Sequence, residues 1–113
     1  MTIYITQGNY TREAVMGMVA KPEDRAEAVA GLVKAAGGKL LNYYVTLGEH
    51  DFLVIMESKE GLTEMMSALF AAAAGGGVSN LRTTVAVSSK EAVKSMKQAK
   101  KIQKGFRSAG QAA

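Results

Sequence analysis

The segment "GGKLLNYYVTLGEHDFLVIMES", residues 37–58, constrains the fold of this chain more than any other. Two β-rich runs, "KLLNYYVTL" and "DFLVIMES", are joined by a short link containing Gly48, which is the pattern of an antiparallel hairpin. In the second run Phe52, Val54 and Met56 point one way while Leu53 and Ile55 point the other. Both faces are therefore apolar. An antiparallel strand with one face in water alternates apolar with polar residues, so this strand calls for cover on both sides.

The flanking segments change period in a regular order. "TIYITQ" alternates as a strand, with Ile3 and Ile5 on one side and Tyr4 and Thr6 on the other. "NYTREAVMGMVA" supports only a short helical turn capped by Thr11, because Gly17 weakens it. "KPEDRAEAVAGLVKAAGG" predicts a helix with Pro22 in its first turn, Glu23 and Asp24 at its positive end, and Gly37 or Gly38 closing it. Its apolar face is expected at Ala26, Val29, Ala30, Val33 and Ala36. "SKEGLTEMMSALFAAAAG" predicts a second helix that buries Leu62, Met65, Met66, Leu69 and Phe70 and stops at Gly75–Gly77. "VSNLRTTVAVS" is the last strand, Ser88 and Glu91 form a capping box for a third helix, and "SAGQAA" is expected to fray.

The order β-α-β-β-α-β plus a C-terminal helix is an α+β, ferredoxin-like split βαβ plan. It divides the chain into a domain at residues 1–88 and a basic helix with a flexible tail at 89–113. Helices cover one sheet face in this plan, so the second face is expected to meet another copy of the chain. A homodimer of this kind is a dimeric α+β barrel with a cavity between its sheets. The alternative is a monomer whose last helix folds back over the sheet. Placing Ile3, Ile5, Leu41, Tyr43, Val45, Leu81, Thr83 and Val85 toward the helices leaves Tyr4, Thr6, Asn42, Tyr44, Thr46, Arg82 and Thr84 on the second face. Polar groups among apolar walls suit a small-ligand pocket, and equally suit cross-strand pairs at a dimer seam. A buried Arg82 would need Asp51, Glu49 or an acidic ligand as partner; in a shifted register it is a surface charge.

Composition removes other classes. At 113 residues, 48% of them hydrophobic, the chain is one globular domain. There is no cysteine, hence no disulfide framework or thiolate nucleophile. No export signal and no membrane-spanning run is evident, and a cytoplasmic location is expected. The net charge of +4 is concentrated in the tail, where Lys90, Lys94, Lys97, Lys100, Lys101, Lys104 and Arg107 face only Glu91. That tail reads as a solvated helix face; an aromatic RNA-binding pattern is absent, so nucleic acid is not an expected partner. A single histidine rules out a His-rich metal site within one chain, and Glu49, His50 and Asp51 alternate in direction along a strand, so no metal is expected. No phosphate loop, nicotinamide or flavin fingerprint, or serine nucleophile elbow occurs, and no cofactor is expected.

"GNYT" after the first strand, "GGKLLNYYVTLGEHDFLVIME" in the hairpin and "LRTTVAV" in the last strand resemble the GYD-domain family over residues 3–88. Gly48 and Asp51 match its Gly-Tyr-Asp signature, with His50 standing where the tyrosine would be. The resemblance implies a ferredoxin-like dimeric α+β barrel and says little about activity. Asn9, Tyr10 and Tyr44 lie in the matched segments and carry over as pattern positions without a role. The functional expectation is a homo-oligomeric barrel that binds a small acidic or aromatic molecule. Tyr44 and Asn9 would position the ligand, Arg82 would hold an anionic group, and His50 with Asp51 would form an acid–base pair. The alternatives are a structural or regulatory oligomerisation module, in which Asp51 accepts hydrogen bonds from turn amides or pairs with Arg82, and a cofactor-independent oxygenase or isomerase. No residue is assigned a catalytic role.

Overall fold

The computed structural model describes residues 1–111; Ala112 and Ala113, part of the segment expected to fray, lie outside the described residues. Four strands, β1 (Thr2–Tyr10), β2 (Gly38–Val45), β3 (Phe52–Ser58) and β4 (Val78–Ala86), form one antiparallel sheet in the order β2-β3-β1-β4. Helices α1 (Arg12–Ala20), α2 (Ala26–Ala35) and α3 (Leu62–Ala74) follow β1, α1 and β3, and α4 (Ser89–Ile102) follows β4. This is the ferredoxin-like α+β arrangement expected from the sequence.

Local chemistry sets the helix ends. The Thr11 side chain accepts the Ala14 N–H, and a full helix α1 forms where the sequence supported only a short turn. Helix α2 begins at Ala26, later than the segment "KPEDR" suggested. Asp24 Oδ1 accepts the Ala26 N–H at 2.9 Å, so Pro22, Glu23 and Asp24 belong to the connection rather than to the first turn. Ser88 caps α4 by accepting the Glu91 N–H at 3.0 Å.

The two faces of β1 are the reverse of those expected. Tyr4, 2% exposed, and Thr6 lie beneath the helices, and Ile3 and Ile5 lie on the second face. Both residue pairs can line an apolar surface, so a period of two identifies the strand without choosing its face. Packing chooses it. Gly8 shares the Tyr4 side, and a Cβ there would stand 2.8 Å from both Phe52 Cζ and Leu81 Cδ2, so a side chain at this position would push this face apart. In β2 the register slips between Leu40 and Asn42. Leu40 thus packs on the core in place of the expected Leu41, which is exposed. Tyr43 and Leu81 face the helices as expected, and Thr83 does so through a 2.8 Å hydroxyl bond to Thr6.

The core consists of Tyr4, Val33, Phe52, Val54, Met56 and Met65. Helix α3 is apolar almost all round, so its periodicity does not select a buried face. Met65 and the small Ala68 meet the sheet, while Leu62, Met66 and Phe70 form an outer stripe, with Phe70 70% exposed. The second sheet face carries cross-strand rows. Asn42, Ile55, Ile5 and Thr84 make one, and Tyr44, Leu53, Gln7 and Arg82 make the next. Helix α4 does not fold back over these rows. It projects from the end of the domain and gives the molecule extents of 66 × 29 × 22 Å.

Candidate functional site

A cavity of about 460 Å³ lies between the sheet and the three helices α1–α3, on the helix-covered face rather than on the face where the sequence suggested a pocket. Thr6, Val54 and Met56 form part of its floor, Gly17, Met18, Leu32 and Leu69 part of its roof, and Lys21, Glu23 and Arg25 its charged rim. The volume falls within the range of ordinary small-molecule sites, roughly 300–1,000 Å³.

Two phenols meet on its wall. Tyr10 from the end of β1 and Tyr43 from β2 share a 2.5 Å hydrogen bond between their hydroxyls. The buried ring of Phe52 supports both, with its centroid 5.2 Å from Tyr10 in a tilted contact and 6.1 Å from Tyr43 in a stacked one. Burial pushes the Tyr43 hydroxyl well above its ordinary value, and the bond to Tyr10 adds to the effect, so Tyr43 stays protonated. At the rim, Arg25 pairs with Glu23 at 3.1 Å.

The hairpin link fastens Tyr10 in place. Asp51 Oδ2 accepts the Tyr10 N–H at 2.9 Å, and the Asp51 N–H donates to the Gly8 carbonyl at 2.8 Å. Asn9 Nδ2 donates to the Glu49 carbonyl at 3.3 Å, and Asn9 Oδ1 accepts from Asn80 Nδ2 at 3.0 Å. Asn80 has a positive φ of 52°, and the β1–β4 register slips beside it, between Gln7 and Asn9. Gly48 takes φ +147° in the link, a conformation that L side chains rarely adopt. Thr46 Oγ1 donates to the His50 carbonyl at 2.7 Å, and His50 Nε2 is buried without a partner among the described residues.

The six residues singled out from the sequence therefore fall into three places. Tyr10 lines the cavity, and Asn9 and Asp51 hold its backbone. His50 sits in the link, not on the cavity wall. Tyr44 and Arg82 stand at opposite ends of one row on the second sheet face, about 14 Å apart by strand spacing. Arg82 is exposed, and Asp51 is not its partner, since that carboxylate takes the Tyr10 N–H. The cavity phenol missed from the sequence is Tyr43. The pair "YY" signalled it, because adjacent strand residues face opposite ways and one of the two had to meet the helices.

Among the described residues, no group of three or more acidic, histidine or cysteine side chains could hold a metal, and no helix is long and apolar enough to cross a membrane. No curated protein is similar enough to this sequence to count as a match. Solved structures are similar to this chain at low identity. A protein from Thermus thermophilus, TTHA0845, is 13% identical, with 79% of this chain and 96% of that chain covered and a TM-score of 0.50. The hypothetical protein PHS023 from Pyrococcus horikoshii is 17% identical, with 78% and 92% covered and a TM-score of 0.47. The structure of FFRP-DM1 is 17% identical, with 77% and 100% covered and a TM-score of 0.47. The GYD-domain family model matches residues 4–96, which take in the sheet from Tyr4 onward, the cavity and about half of α4, and the chain belongs to that family.

Proposed function

We propose that this domain binds a small, largely apolar molecule in the cavity beneath α1–α3, and that two copies assemble through the second faces of their sheets. The observation that carries the binding reading is the pair of hydrogen-bonded phenols on an otherwise mainly apolar wall. A few convergent polar groups in an apolar enclosure orient a ligand, whereas a purely structural core would close around its side chains and leave no such space. Assembly is supported by Ile5 and Ile55, which are register partners on the sheet face opposite the buried core. Apolar surface of this kind marks an interface.

The test is a melting experiment with a panel of neutral and acidic aromatic compounds, followed by circular dichroism because the chain has no tryptophan. A ligand at 100 times its Kd stabilises the folded state by about 2.7 kcal/mol, which raises the midpoint by several degrees in a domain of this size. A panel in which no compound moves the midpoint would set the binding reading aside. Sedimentation equilibrium tests assembly, with a dimer or a multiple of dimers expected at micromolar concentration.

A further inference from the structure

We propose that the Tyr10–Tyr43 pair is a hydrogen-bond donor for a neutral carbonyl-type oxygen, so that the ligand class of the cavity is a largely apolar molecule carrying a ketone or aldehyde group. This rests on the small-molecule reading of the cavity and names its occupant.

The argument is a proton count. Two phenols have two O–H groups, and one of them is used in the bond between them. Whichever hydroxyl donates, the other keeps an O–H with no partner among the described residues, and both rings line the cavity. A part-buried spare O–H against a mainly apolar wall is a donor that a ligand acceptor oxygen can take. By the same count the Thr6–Thr83 pair also keeps one O–H, and Thr6 is on the cavity floor, so removing the phenols alone decides which pair the ligand oxygen meets.

Charge selects a neutral acceptor. On the rim, the cation whose field reaches Tyr43, Arg25, is already paired with Glu23, and Tyr43 holds its proton. A carboxylate at the phenols would have Arg25 engaged by Glu23, and the rim's other cation, Lys21, is what the 2-naphthoate probe tests. A ketone oxygen needs only the one donor that the phenols offer. The geometry is further held in place, since Asp51 fixes the Tyr10 backbone and Phe52 buttresses both rings.

The experiment compares three probes of one shape, 2-acetylnaphthalene, 2-isopropylnaphthalene and 2-naphthoate, by equilibrium binding to the full chain and to the double variant Tyr10→Phe/Tyr43→Phe. Replacing both partners of a hydrogen bond by apolar groups of the same shape leaves the fold nearly as stable, which circular dichroism verifies. The expected result is that the affinity ratio of ketone to hydrocarbon falls roughly 3- to 10-fold in the double variant, the value of one hydrogen bond. An unchanged ratio, with both probes still binding, overturns the donor assignment and leaves the small-molecule reading standing. Tighter binding of 2-naphthoate than of the ketone overturns the neutral-oxygen assignment. Failure of all three probes to bind overturns the inference and counts against the reading beneath it.

Discussion

The Asp51 carboxylate accepts the backbone N–H of Tyr10 at 2.9 Å, so the link between β2 and β3 fastens the strand end that carries a cavity phenol. The bond explains an aspartate immediately before the strand "FLVIM", a position where β-propensity disfavours it. It also makes Asp51 a positioning residue, since the cavity wall is formed by Tyr10 and not by Asp51.

Asp51→Ala leaves a partly buried N–H without its charged acceptor and is expected to lower stability by about 1.5–3 kcal/mol. Asp51→Asn keeps an acceptor oxygen but loses the charge, and the expected loss is about 1 kcal/mol. Urea unfolding of the three proteins measures both values. Equal stability of wild type and Asp51→Ala would detach the link from the fold.

Gly8→Ala tests why β1 presents Tyr4 and Thr6 to the helices. The added methyl would meet Phe52 Cζ and Leu81 Cδ2 at 2.8 Å and the Ser79 carbonyl oxygen at 3.1 Å. One of the two side chains can rotate, but the carbonyl belongs to the neighbouring strand. Overpacking of this kind costs about 1–3 kcal/mol, read as a lower denaturant midpoint. A variant as stable as wild type would show that this face has slack.

That glycine also marks where the sequence stops being legible. The order of strands and helices follows from period and turn chemistry, and "KLLNYYVTLGEHDFLVIMES" defines its hairpin clearly. The face of β1 does not follow, because Ile3 and Ile5 suit an apolar surface as well as Tyr4 and Thr6 do. The contact between Gly8, Phe52 and Leu81 that decides it joins three strands and has no signature within any one of them. The polar set on the second face, Tyr44 among it, suggests a pocket there, whereas the cavity lies on the other face, where Tyr43 points as expected. Asp51 and Asn9 stood out as unusual residues in a turn, but their shared object, the Tyr10 strand end, is visible only once β1, β3 and β4 are side by side.

Tyr43 gives the fold an alkaline limit. Its hydroxyl is raised by burial first and by the bond to Tyr10 second, against an ordinary value of 10.0. Above that pH the unfolded chain loses the proton while the folded chain keeps it. The unfolded state then binds fewer protons, and stability falls as pH rises. The contribution is complete below about pH 10 and is lost progressively above it. Urea midpoints between about pH 8 and about pH 11 should therefore decline, and Tyr43→Phe should decline less steeply. Identical slopes for the two proteins would mean that other groups, lysines among them, set the limit.

The tail is expected to be dispensable for the core. Helix α4 projects from the end of β4 and finds its main neighbour in the short 3-10 turn at Gln103–Gly105, which belongs to the same tail. Removing residues 97–113 takes away no strand and no cavity-lining residue. The truncated chain should keep its strand and helix signal and a single cooperative melt. Loss of cooperative unfolding would make α4 part of the folded core.

The second sheet face yields the prediction about assembly. Ile5 and Ile55 are register partners near its centre, flanked by Ile3 and Leu53, on the face opposite the buried core. Ile55→Lys places an ammonium on that surface. If two copies meet there, the charge must be desolvated against its own symmetry mate, because a two-fold interface brings each patch onto the same patch of the partner. The variant should then sediment as a folded monomer at concentrations where wild type is dimeric. In a monomer the same lysine would extend into water at little cost, and the change would leave both mass and melting behaviour as they were. Ile55→Val, which keeps the surface apolar, should behave as wild type. A dimer that survives Ile55→Lys would move the interface to another apolar surface, and the outer stripe of α3 at Leu62, Met66 and Phe70 is the next to test, by Met66→Lys.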